Sequence, residues 1–178
     1  MQGDIFPCHG NWRVLLSGAT NMKFNISVTG VPGTGKSTLC KFLAESGYEI
    51  IDLNRFSITA GCTQNDQVDL DCLIPKISSD MGKILDSHYS HLLHSFAVIL
   101  MECSPDVLEK RLKERGYDEK KIVENMDCLM SDCIGYECME NYPFNRILRL
   151  NTDDDREEKN LRDAVNFIRK MEMKHNGT

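Results

Sequence analysis

The chain has 178 residues, of which 41% are hydrophobic, and its formal net charge at pH 7 is −6. This length is enough for one hydrophobic core, so we expect a single domain. The acidic charge argues against direct binding to nucleic acid, which relies on clustered lysines and arginines, and it favours a basic protein partner. No apolar run is long enough to cross a bilayer, and residues 1–21 have neither a basic start nor an extended apolar segment. We therefore expect an intracellular protein without membrane association.

The first predicted element is a strand. Residues 1–21 show no clear hydrophobic period, and Met22 stands directly before a β-rich run at residues 24–29. We therefore expect one domain over residues 22–178, and interpret residues 1–21 either as an appended N-terminal extension or as the product of an over-long gene model.

The most specific motif is Gly-Val-Pro-Gly-Thr-Gly-Lys-Ser at residues 30–37, which fits the phosphate-binding pattern G-x-x-x-x-G-K-[ST]. It lies between a strand and a helical pattern, the context that such a loop requires. Its glycines, among them Gly33 and Gly35, allow backbone N–H groups to turn inward around phosphate oxygens. Lys36 is predicted to reach the β- and γ-phosphates of ATP, and Ser37 to ligate Mg²⁺.

A helix, a short strand and an irregular segment are predicted next. An apolar stripe at residues 39–43 indicates a helix that ends at Ser46-Gly47. A short strand follows at residues 48–53, and another helix begins near residues 55–58. Residues 61–71 are polar and acidic without a clear period, which predicts an excursion outside the core sheet.

Asp86 is the second candidate ligand for Mg²⁺. It ends the apolar run Ile84-Leu85-Asp86, which indicates a strand. In P-loop enzymes the strand beside the loop commonly ends in an acid that holds Mg²⁺ directly or through water. The alternative is an aspartate that caps a helix or forms a turn.

Three histidines, His88, His91 and His94, recur every three residues. A zinc site is disfavoured because only two of the three histidines could bind the same ion, and no cysteine or carboxylate nearby completes a set of ligands. His91 and His94 are interpreted as surface or partly packed residues.

The chain contains eight cysteines and no C-x-x-C pattern. They are scattered through predicted strands and helices, and the five-residue spacing of Cys128, Cys133 and Cys138 suits no zinc site. We therefore expect reduced, mostly buried thiols.

The second half of the chain begins with a strand that is apolar throughout. Residues 96–103 have strand length and no polar alternation, which is typical of a parallel strand covered on both faces. Ser104-Pro105-Asp106 starts a helix that ends near Arg115-Gly116, and a second long helix is predicted from residue 118 to about 141. Most charges of the first helix, Arg111 among them, are expected to face solvent.

The junction of these two helices carries a basic cluster formed by Arg115, Lys120 and Lys121. Such a cluster at a mobile junction could close over a triphosphate and neutralise its charge in the transition state. The alternative is that these residues only complement the helix dipoles.

A final strand at residues 145–151 and a helix from Arg156 complete the chain. The predicted fold is α/β: a three-layer P-loop fold of the nucleoside monophosphate kinase type, with a parallel sheet flanked by helices and a short lid.

At this point a family resemblance can be stated. The chain resembles the adenylate kinase isoenzyme 6 family, also called the coilin-interacting nuclear ATPase protein family, over residues 23–174. The resemblance rests on residues 29–38, on Asp86-Ser87-His88, and on the Arg-Gly-Tyr-x-x-x-Lys block that begins at Arg115, with Asn125.

The resemblance implies a single kinase-like domain with a monophosphate-binding insert near residues 52–75 and a lid near residues 114–124. It also implies adenylate kinase activity with broad nucleotide use, ATPase activity, and a role in small-subunit ribosomal RNA maturation through a small-subunit ribosomal platform protein. The implied location is the nucleus and the cytoplasm.

Residue roles can be carried over in the same way. The resemblance implies that five residues of the loop hold ATP: Gly33, Gly35, Lys36, Ser37 and Thr38. It implies that Arg115 is the lid arginine on the phosphates, and that Asp86 and His88 form a Walker-B-like pair in which His88 orients water or the metal's shell.

Two departures weaken the implied monophosphate site. Ile58 stands where the family usually has an arginine, which leaves Arg55 as the nearest cation. The segment from Pro75 to Ile84 is also shorter than expected, and Leu129 replaces a frequent glutamate. Two classes of function therefore stay open: transfer of a phosphoryl group from ATP to AMP, and an ATP-hydrolysing ribosome-assembly factor with little or no AMP phosphorylation.

Overall fold

The structure is a computed structural model, and it describes residues 22–65, 67–153 and 156–177. The predicted extension at residues 1–21 lies outside these residues. The elements are, in chain order, β1 (Ile26–Thr29), α1 (Lys36–Glu45), β2 (Ile50–Asp52), α2 (Leu53–Thr59), β3 (Thr63–Gln64), β4 (Gln67–Val68), α3 (Leu70–Ser78), β5 (Ile84–Asp86), β6 (Ala97–Glu102), α4 (Pro105–Glu114), α5 (Glu119–Met130), α6 (Cys133–Asn141), β7 (Ile147–Asn151) and α7 (Glu157–Asn176). Short 3₁₀ turns lie at Ser90–Leu92 and Phe144–Arg146.

Five strands form one parallel sheet in the order β2-β5-β1-β6-β7. The strand that precedes the glycine loop, β1, therefore lies in the middle, and β5 is its direct neighbour. Because the strands are parallel, the loop after β1 and the ends of β5 and β2 meet at the same edge of the sheet. This arrangement confirms the predicted α/β fold class.

The core has a layer of helices on each face of the sheet. On β6, Ile99 and Met101 pack into a cluster with α1 and α7, whereas Val98 and Leu100 pack into a cluster with α4 and α6. Both sets are buried. The unbroken apolar run that predicted a doubly covered strand is thus explained, since neither face of β6 meets solvent.

The prediction of one long helix over residues 118–141 is wrong. The segment forms two helices, α5 and α6, that are separated at Ser131 and Asp132. Asp132 adopts a left-handed backbone with φ of 50°, and its carboxylate accepts a hydrogen bond of 2.9 Å from the Arg149 guanidinium on β7. Aspartate tolerates this conformation better than most residues, so a tertiary contact ends a helix that the apolar period alone would continue.

The excursion predicted at residues 61–71 is more ordered than expected. It contains the antiparallel pair of β3 and β4 and the start of helix α3, and it follows helix α2, which the sequence predicted near residues 55–58. Leu53, Leu73 and Ile77 pack with Leu85 of β5 in a separate apolar cluster. The excursion therefore adds a small layer of its own beside the edge strand β2, where the sequence pattern was too short to show a period.

The prediction of reduced thiols is wrong for four cysteines. Cys62 and Cys72 form a disulfide across the β3–β4 pair, and Cys128 and Cys133 form one across the break between α5 and α6. In both pairs the Cα atoms are 5.5 Å apart, within the range that a disulfide spans. Sequence spacing alone does not reveal such proximity. Among the other described cysteines, Cys40, Cys103 and Cys138 are free and buried.

None of the helices in the described ranges is long and apolar enough to span a membrane.

Candidate active site

The glycine loop leaves β1 with three glycines, Gly30, Gly33 and Gly35, at positive φ. A side chain at Gly30 would clash with the Met101 carbonyl oxygen, and a Cβ at Gly33 would lie 2.7 Å from a methyl group of Leu108. The loop therefore needs glycine both for its backbone conformation and for its close approach to β6 and α4. It ends directly at α1, whose free N–H groups suit an anion.

Arg111 fixes the loop from outside, which corrects its prediction as a solvent-facing residue. Its guanidinium donates hydrogen bonds of 2.9 Å to the Thr152 hydroxyl and 2.7 Å to the Thr152 carbonyl oxygen. The Thr152 hydroxyl in turn lies 3.1 Å from the Thr34 carbonyl oxygen in the loop. Helix α4, the turn after β7 and the glycine loop are thereby joined into one frame.

Lys36 begins α1 and points back over the loop. Its ammonium group donates hydrogen bonds of 2.8 Å to the Gly30 carbonyl and 3.1 Å to the Val31 carbonyl. Burial lowers the pKa of Lys36 to about 8, although the nearby Asp86 carboxylate opposes this shift. The loop carbonyls carry no full charge, so a bound phosphate would be a stronger, anionic partner for this amine.

A cleft of about 330 Å³ lies in front of the loop. It is lined by Pro32, Gly33, Gly35, Lys36, Ser37, Asp52, Asn54, Asp86, Ser87, His88, Arg115 and Tyr117. The structure thus brings together most of the residues predicted from the sequence: the loop glycines, the lysine and serine, the aspartate, the histidine and the lid arginine.

A second cavity of about 300 Å³ lies on the other side of the loop. Its walls include Thr38, the apolar side chains of Leu39, Phe42 and Met101, and the polar side chain of Asn160. Gly33, Gly35 and Arg115 line both cavities. The two spaces therefore share the glycine loop as a wall, and the second cavity combines charged residues with an apolar part that suits the base of a nucleotide.

Asp86 occupies the edge predicted for it, at the end of β5. Its pKa is raised, first by burial and also by the charge of Asp52, while Lys36 opposes the shift. The shift therefore arises mainly from burial, and the second carboxylate in the cleft adds to it. A bound cation would favour the charged form of both.

Asp52 is the residue that the sequence interpretation missed. It ends β2, pairs with Asp86 across the two strands, and lines the same cleft. Its carboxylate also caps α2 by accepting hydrogen bonds from the backbone N–H groups of Asn54 and Arg55. A signal was present in the sequence, since Asp52 is the acid next to the end of the strand predicted at residues 48–53.

His88 lies beside Lys36 in the cleft wall. Burial lowers its pKa, and the positive charge of Lys36 and the neighbouring His91 lower it further. The ring is therefore a neutral imidazole at pH 7, able to accept or donate one hydrogen bond. The interpretation of His91 as a surface or partly packed residue is wrong, because His91 is buried, whereas His94 is exposed with φ of 54°.

Arg55, the predicted monophosphate ligand, does not line the cleft. Its side chain is exposed on α2, and the cleft wall there consists of Asp52 and Asn54. Ile58 on the same helix is 67% exposed. The cations that line the cleft are Lys36 and Arg115.

The oxygen donors of the cleft fit Mg²⁺. Ser37, Asp86 and Asp52 supply one hydroxyl and two carboxylates. Mg²⁺ is commonly bound through one or two carboxylates together with the phosphates of a substrate, rather than by a closed protein cage. Within the described ranges, no group of three or more histidine, cysteine, aspartate or glutamate side chains could hold a metal ion without such a substrate.

These features define the class of protein. A glycine loop after a central parallel strand, a lysine and serine at the start of the next helix, and an aspartate at the end of the neighbouring strand define a P-loop protein of the nucleotide kinase type.

Comparison with known proteins identifies the family. The model of the AAA domain family matches residues 26–130. A protein of Thermoplasma acidophilum named "Putative adenylate kinase" is 42% identical over 130 residues, which are 72% of this chain and 88% of that protein. A protein of the same name from Pyrococcus abyssi is 32% identical over 152 residues, 81% of this chain and 83% of that protein. The chain therefore belongs to the P-loop family that the AAA domain model describes and that includes these relatives named "Putative adenylate kinase". This family is similar to nucleoside monophosphate kinases.

Solved structures show the same fold. A gluconokinase from Sinorhizobium meliloti 1021 superposes with a TM-score of 0.59 at 18% identity, covering 88% of this chain and 98% of that one. A shikimate kinase from Acinetobacter baumannii in complex with shikimate gives a TM-score of 0.61 at 14% identity, covering 84% and 94%. At these identities the likeness concerns the fold alone.

Proposed function

We propose that this protein is an adenylate kinase-like enzyme that transfers the γ-phosphoryl group of ATP to AMP, giving two ADP, with broad use of other nucleoside tri- and monophosphates. The observation that carries the proposal is the convergence of Lys36, Asp86 and Arg115 on one cleft at the glycine loop. The relatives named "Putative adenylate kinase" favour the same reaction.

Each residue has a role that follows from its chemistry. Backbone N–H groups of Gly33 and Gly35 and of the first turn of α1, which includes Thr38, bind the phosphates. Lys36 moves from the loop carbonyls to the β- and γ-phosphate oxygens. Ser37 and Asp86 hold Mg²⁺, which supplies neutralising charge at the phosphates when it is bound.

Two further residues act from the other walls of the cleft. Arg115 ends α4 at the junction with α5 and stabilises the charge that develops on the transferred group. His88, as a neutral imidazole, would orient the water for hydrolysis or the shell of a bound metal. Both side chains already line the cleft in which the transfer would take place.

A second function is favoured by a specific observation: of the residues that the structure describes, no arginine or lysine lines the part of the cleft near α2, where the monophosphate acceptor was expected to bind. A monophosphate needs charge-assisted hydrogen bonds, yet Asp52 and Asn54 line the wall where Arg55 was expected. The alternative is therefore an ATP-hydrolysing factor in small ribosomal subunit maturation and rRNA processing, located in nucleus and cytoplasm. Its acidic surface charge suits a basic small-subunit ribosomal platform protein as partner.

One experiment separates the two functions. Purified protein is incubated with ATP and Mg²⁺, with and without AMP, and ADP is followed by chromatography. An AMP-dependent rate far above hydrolysis indicates the kinase. A rate indifferent to AMP but raised by the ribosomal partner protein indicates the assembly ATPase. No ADP under any of these conditions contradicts both.

Variants sharpen this experiment. Lys36→Ala should abolish ADP formation, whereas Lys41→Ala, an exposed lysine on the same helix, should not change it. Arg55→Ala tests the monophosphate role directly. If the KM for AMP is unchanged in Arg55→Ala, then Arg55 has no part in acceptor binding.

A further inference from the structure

A buried histidine connects α6 to the end of β1 and, through Thr29, to the turn that carries His88. His91 is 2% exposed and lies in the 3₁₀ turn after β5. Its Nε2 atom lies 2.7 Å from the Glu137 carboxylate on α6, and its Nδ1 atom lies 2.9 Å from the hydroxyl of Thr29. That hydroxyl also lies 3.0 Å from the carbonyl oxygen of His88. Thr29 is the last residue of β1 before the glycine loop.

The contacts of Thr29 restrict where the protons lie. A carbonyl oxygen only accepts, so the single hydroxyl proton of Thr29 must point to His88 if that contact is a hydrogen bond. Thr29 can then only accept from His91, which requires a proton on Nδ1. The contact between Nε2 and Glu137 requires another proton, held by either partner. All three contacts therefore coexist only when the His91–Glu137 pair carries one proton more than a neutral imidazole beside a carboxylate.

Loss of that extra proton reverses one hydrogen bond. A neutral His91 that donates from Nε2 to the Glu137 carboxylate presents a lone pair at Nδ1. The Thr29 hydroxyl then turns to donate to His91, and the His88 carbonyl loses this donor. The proton can exchange with solvent, because the Glu137 side chain is 48% exposed.

The groups that face His91 determine the pH at which this proton is lost. Glu137 on α6 favours the protonated ring, whereas burial disfavours it more strongly, so the pKa of His91 lies below its ordinary value of 6.5. His88 lies close enough for the two rings to disfavour each other's charge. The Tyr142 hydroxyl donates to the His91 carbonyl at 2.8 Å and stays neutral, because burial raises its pKa.

We propose that His91 and Glu137 are positioning residues for phosphoryl transfer: the proton they share sets the direction of the Thr29 hydroxyl and, through it, the place of His88 in the cleft. This inference rests on the proposed function. The pair touches no reacting atom; it acts on the turn that carries His88 and on the strand that carries the glycine loop.

Glu137→Gln tests the proposal, because the glutamine amide donates to Nε2 of a neutral His91. That leaves the proton on Nδ1 and holds Thr29 toward His88 at every pH. Glu140→Gln is the matched control, since Glu140 is an exposed glutamate on the same helix. Rates of ADP formation are measured for wild type, Glu137→Gln and Glu140→Gln from pH 4.5 to 8.5. The ratio of each variant's rate to the wild-type rate cancels the pH dependence that all three proteins have in common.

The expected ratio for Glu137→Gln is about 1 at the acidic end and rises to about 5 above the His91 titration, the size that one buried hydrogen bond gives. The ratio for Glu140→Gln stays near 1. A Glu137→Gln ratio that does not change with pH overturns the proposal.

Nitrogen-15 NMR of the imidazole groups checks the proton independently of catalysis. The His91 signals of wild type should show a protonated Nδ1 at the acidic end and Nε2–H alone above the titration, whereas Glu137→Gln should keep its neutral form as Nδ1–H. The same neutral tautomer in both proteins overturns the inference. If neither AMP phosphorylation nor hydrolysis is found, the proposed function fails and the positioning role fails with it, whereas the NMR result still shows whether the pair shares a proton.

Discussion

Asp52 and Asp86 are direct neighbours across the two parallel strands β2 and β5, and both line the cleft that contains Lys36. Two carboxylates at one end of a cleft with few cations repel each other, which is one reason why the pKa of Asp86 is raised. A positive charge nearby reduces this repulsion. Lys36 supplies part of that charge, and a divalent cation with a nucleotide would supply the rest.

We therefore expect Asp52→Asn to lower the rate of ADP formation about tenfold or more, the loss associated with one charged hydrogen-bonding group. The melting temperature should change little, because asparagine caps a helix about as well as aspartate. Asp69→Asn is the matched control: Asp69 caps α3 through the Cys72 N–H but does not line the cleft. Equal rates in the two variants would show that Asp52 is only a helix cap.

We expect nucleotide binding to be accompanied by the uptake of a proton at Lys36. Its pKa in the free protein is lowered to about 8, and a bound polyphosphate restores a partner for the charged form. Near pH 8 the Lys36 amine is therefore partly deprotonated in the free protein, whereas it stays protonated in the complex. Binding should accordingly take up about half a proton at pH 8 and about one tenth of a proton at pH 7. Affinity should accordingly fall as the pH rises above 8.

Calorimetry measures this uptake. Titration of a non-hydrolysable ATP analogue in two buffers of different ionisation enthalpy gives the number of protons, and Lys36→Met is the control that should show none. Identical heats in both buffers at pH 8 for wild type would contradict the lowered pKa of Lys36.

Gly30 predicts a large loss of stability on substitution. Its φ is 139°, and an added methyl group meets the Met101 carbonyl on β6. Gly47 also has positive φ, at 94°, but nothing lies within 4 Å of its would-be Cβ atom. Gly47→Ala should cost about 1 kcal/mol for the backbone conformation alone, and Gly30→Ala about 3 kcal/mol or more because overpacking is added.

Denaturant unfolding of the two glycine variants makes the comparison. The difference between them isolates the steric clash, since both carry the backbone penalty. Similar free energies of unfolding would mean that β6 can move away from the loop.

The disulfides predict a defined pattern of thiol reactivity. Alkylation of the denatured protein without reduction should label Cys40, Cys103 and Cys138 and spare the two pairs. Reduction should lower the free energy of unfolding by about 2–3 kcal/mol for the Cys62–Cys72 bridge, which closes a loop of 10 residues.

Peptide mass spectrometry and denaturant unfolding give these two readouts. A double variant with serine at both positions of that bridge should lose the part of the reductant sensitivity that the bridge contributes. Labelling of Cys62 in the unreduced protein would instead favour the reduced thiols that the sequence pattern suggested.

Much of the site was readable from the sequence because its signals are local. The order strand, glycine loop and helix places Lys36 and Ser37 without any long-range information, since the chain is continuous through them. Asp86 was recognisable because a short apolar run that ends in an acid is typical of a strand at the phosphate edge of such a sheet. The apolar run of β6 similarly predicted a strand covered on both faces.

Other features depend on contacts between distant parts of the chain. Arg111 looks like any charged residue on an amphipathic helix, and only the position of Thr152 gives it a role. The break between α5 and α6 depends on the contact between Asp132 and Arg149, and the disulfides depend on which turns come together.

What the sequence by itself determined is the phosphate-binding loop, its lysine and serine, the acid at the end of β5, and the α/β class of the fold. Those features follow from backbone conformation and hydrophobic period along a continuous stretch of chain. Only the tertiary structure decided that Asp52 faces Asp86, that Arg55 stays outside the cleft, and that His91 joins Glu137 to Thr29. The reason is physical: the distance between two side chains on different elements depends on strand order and register, which the local pattern of neither element contains.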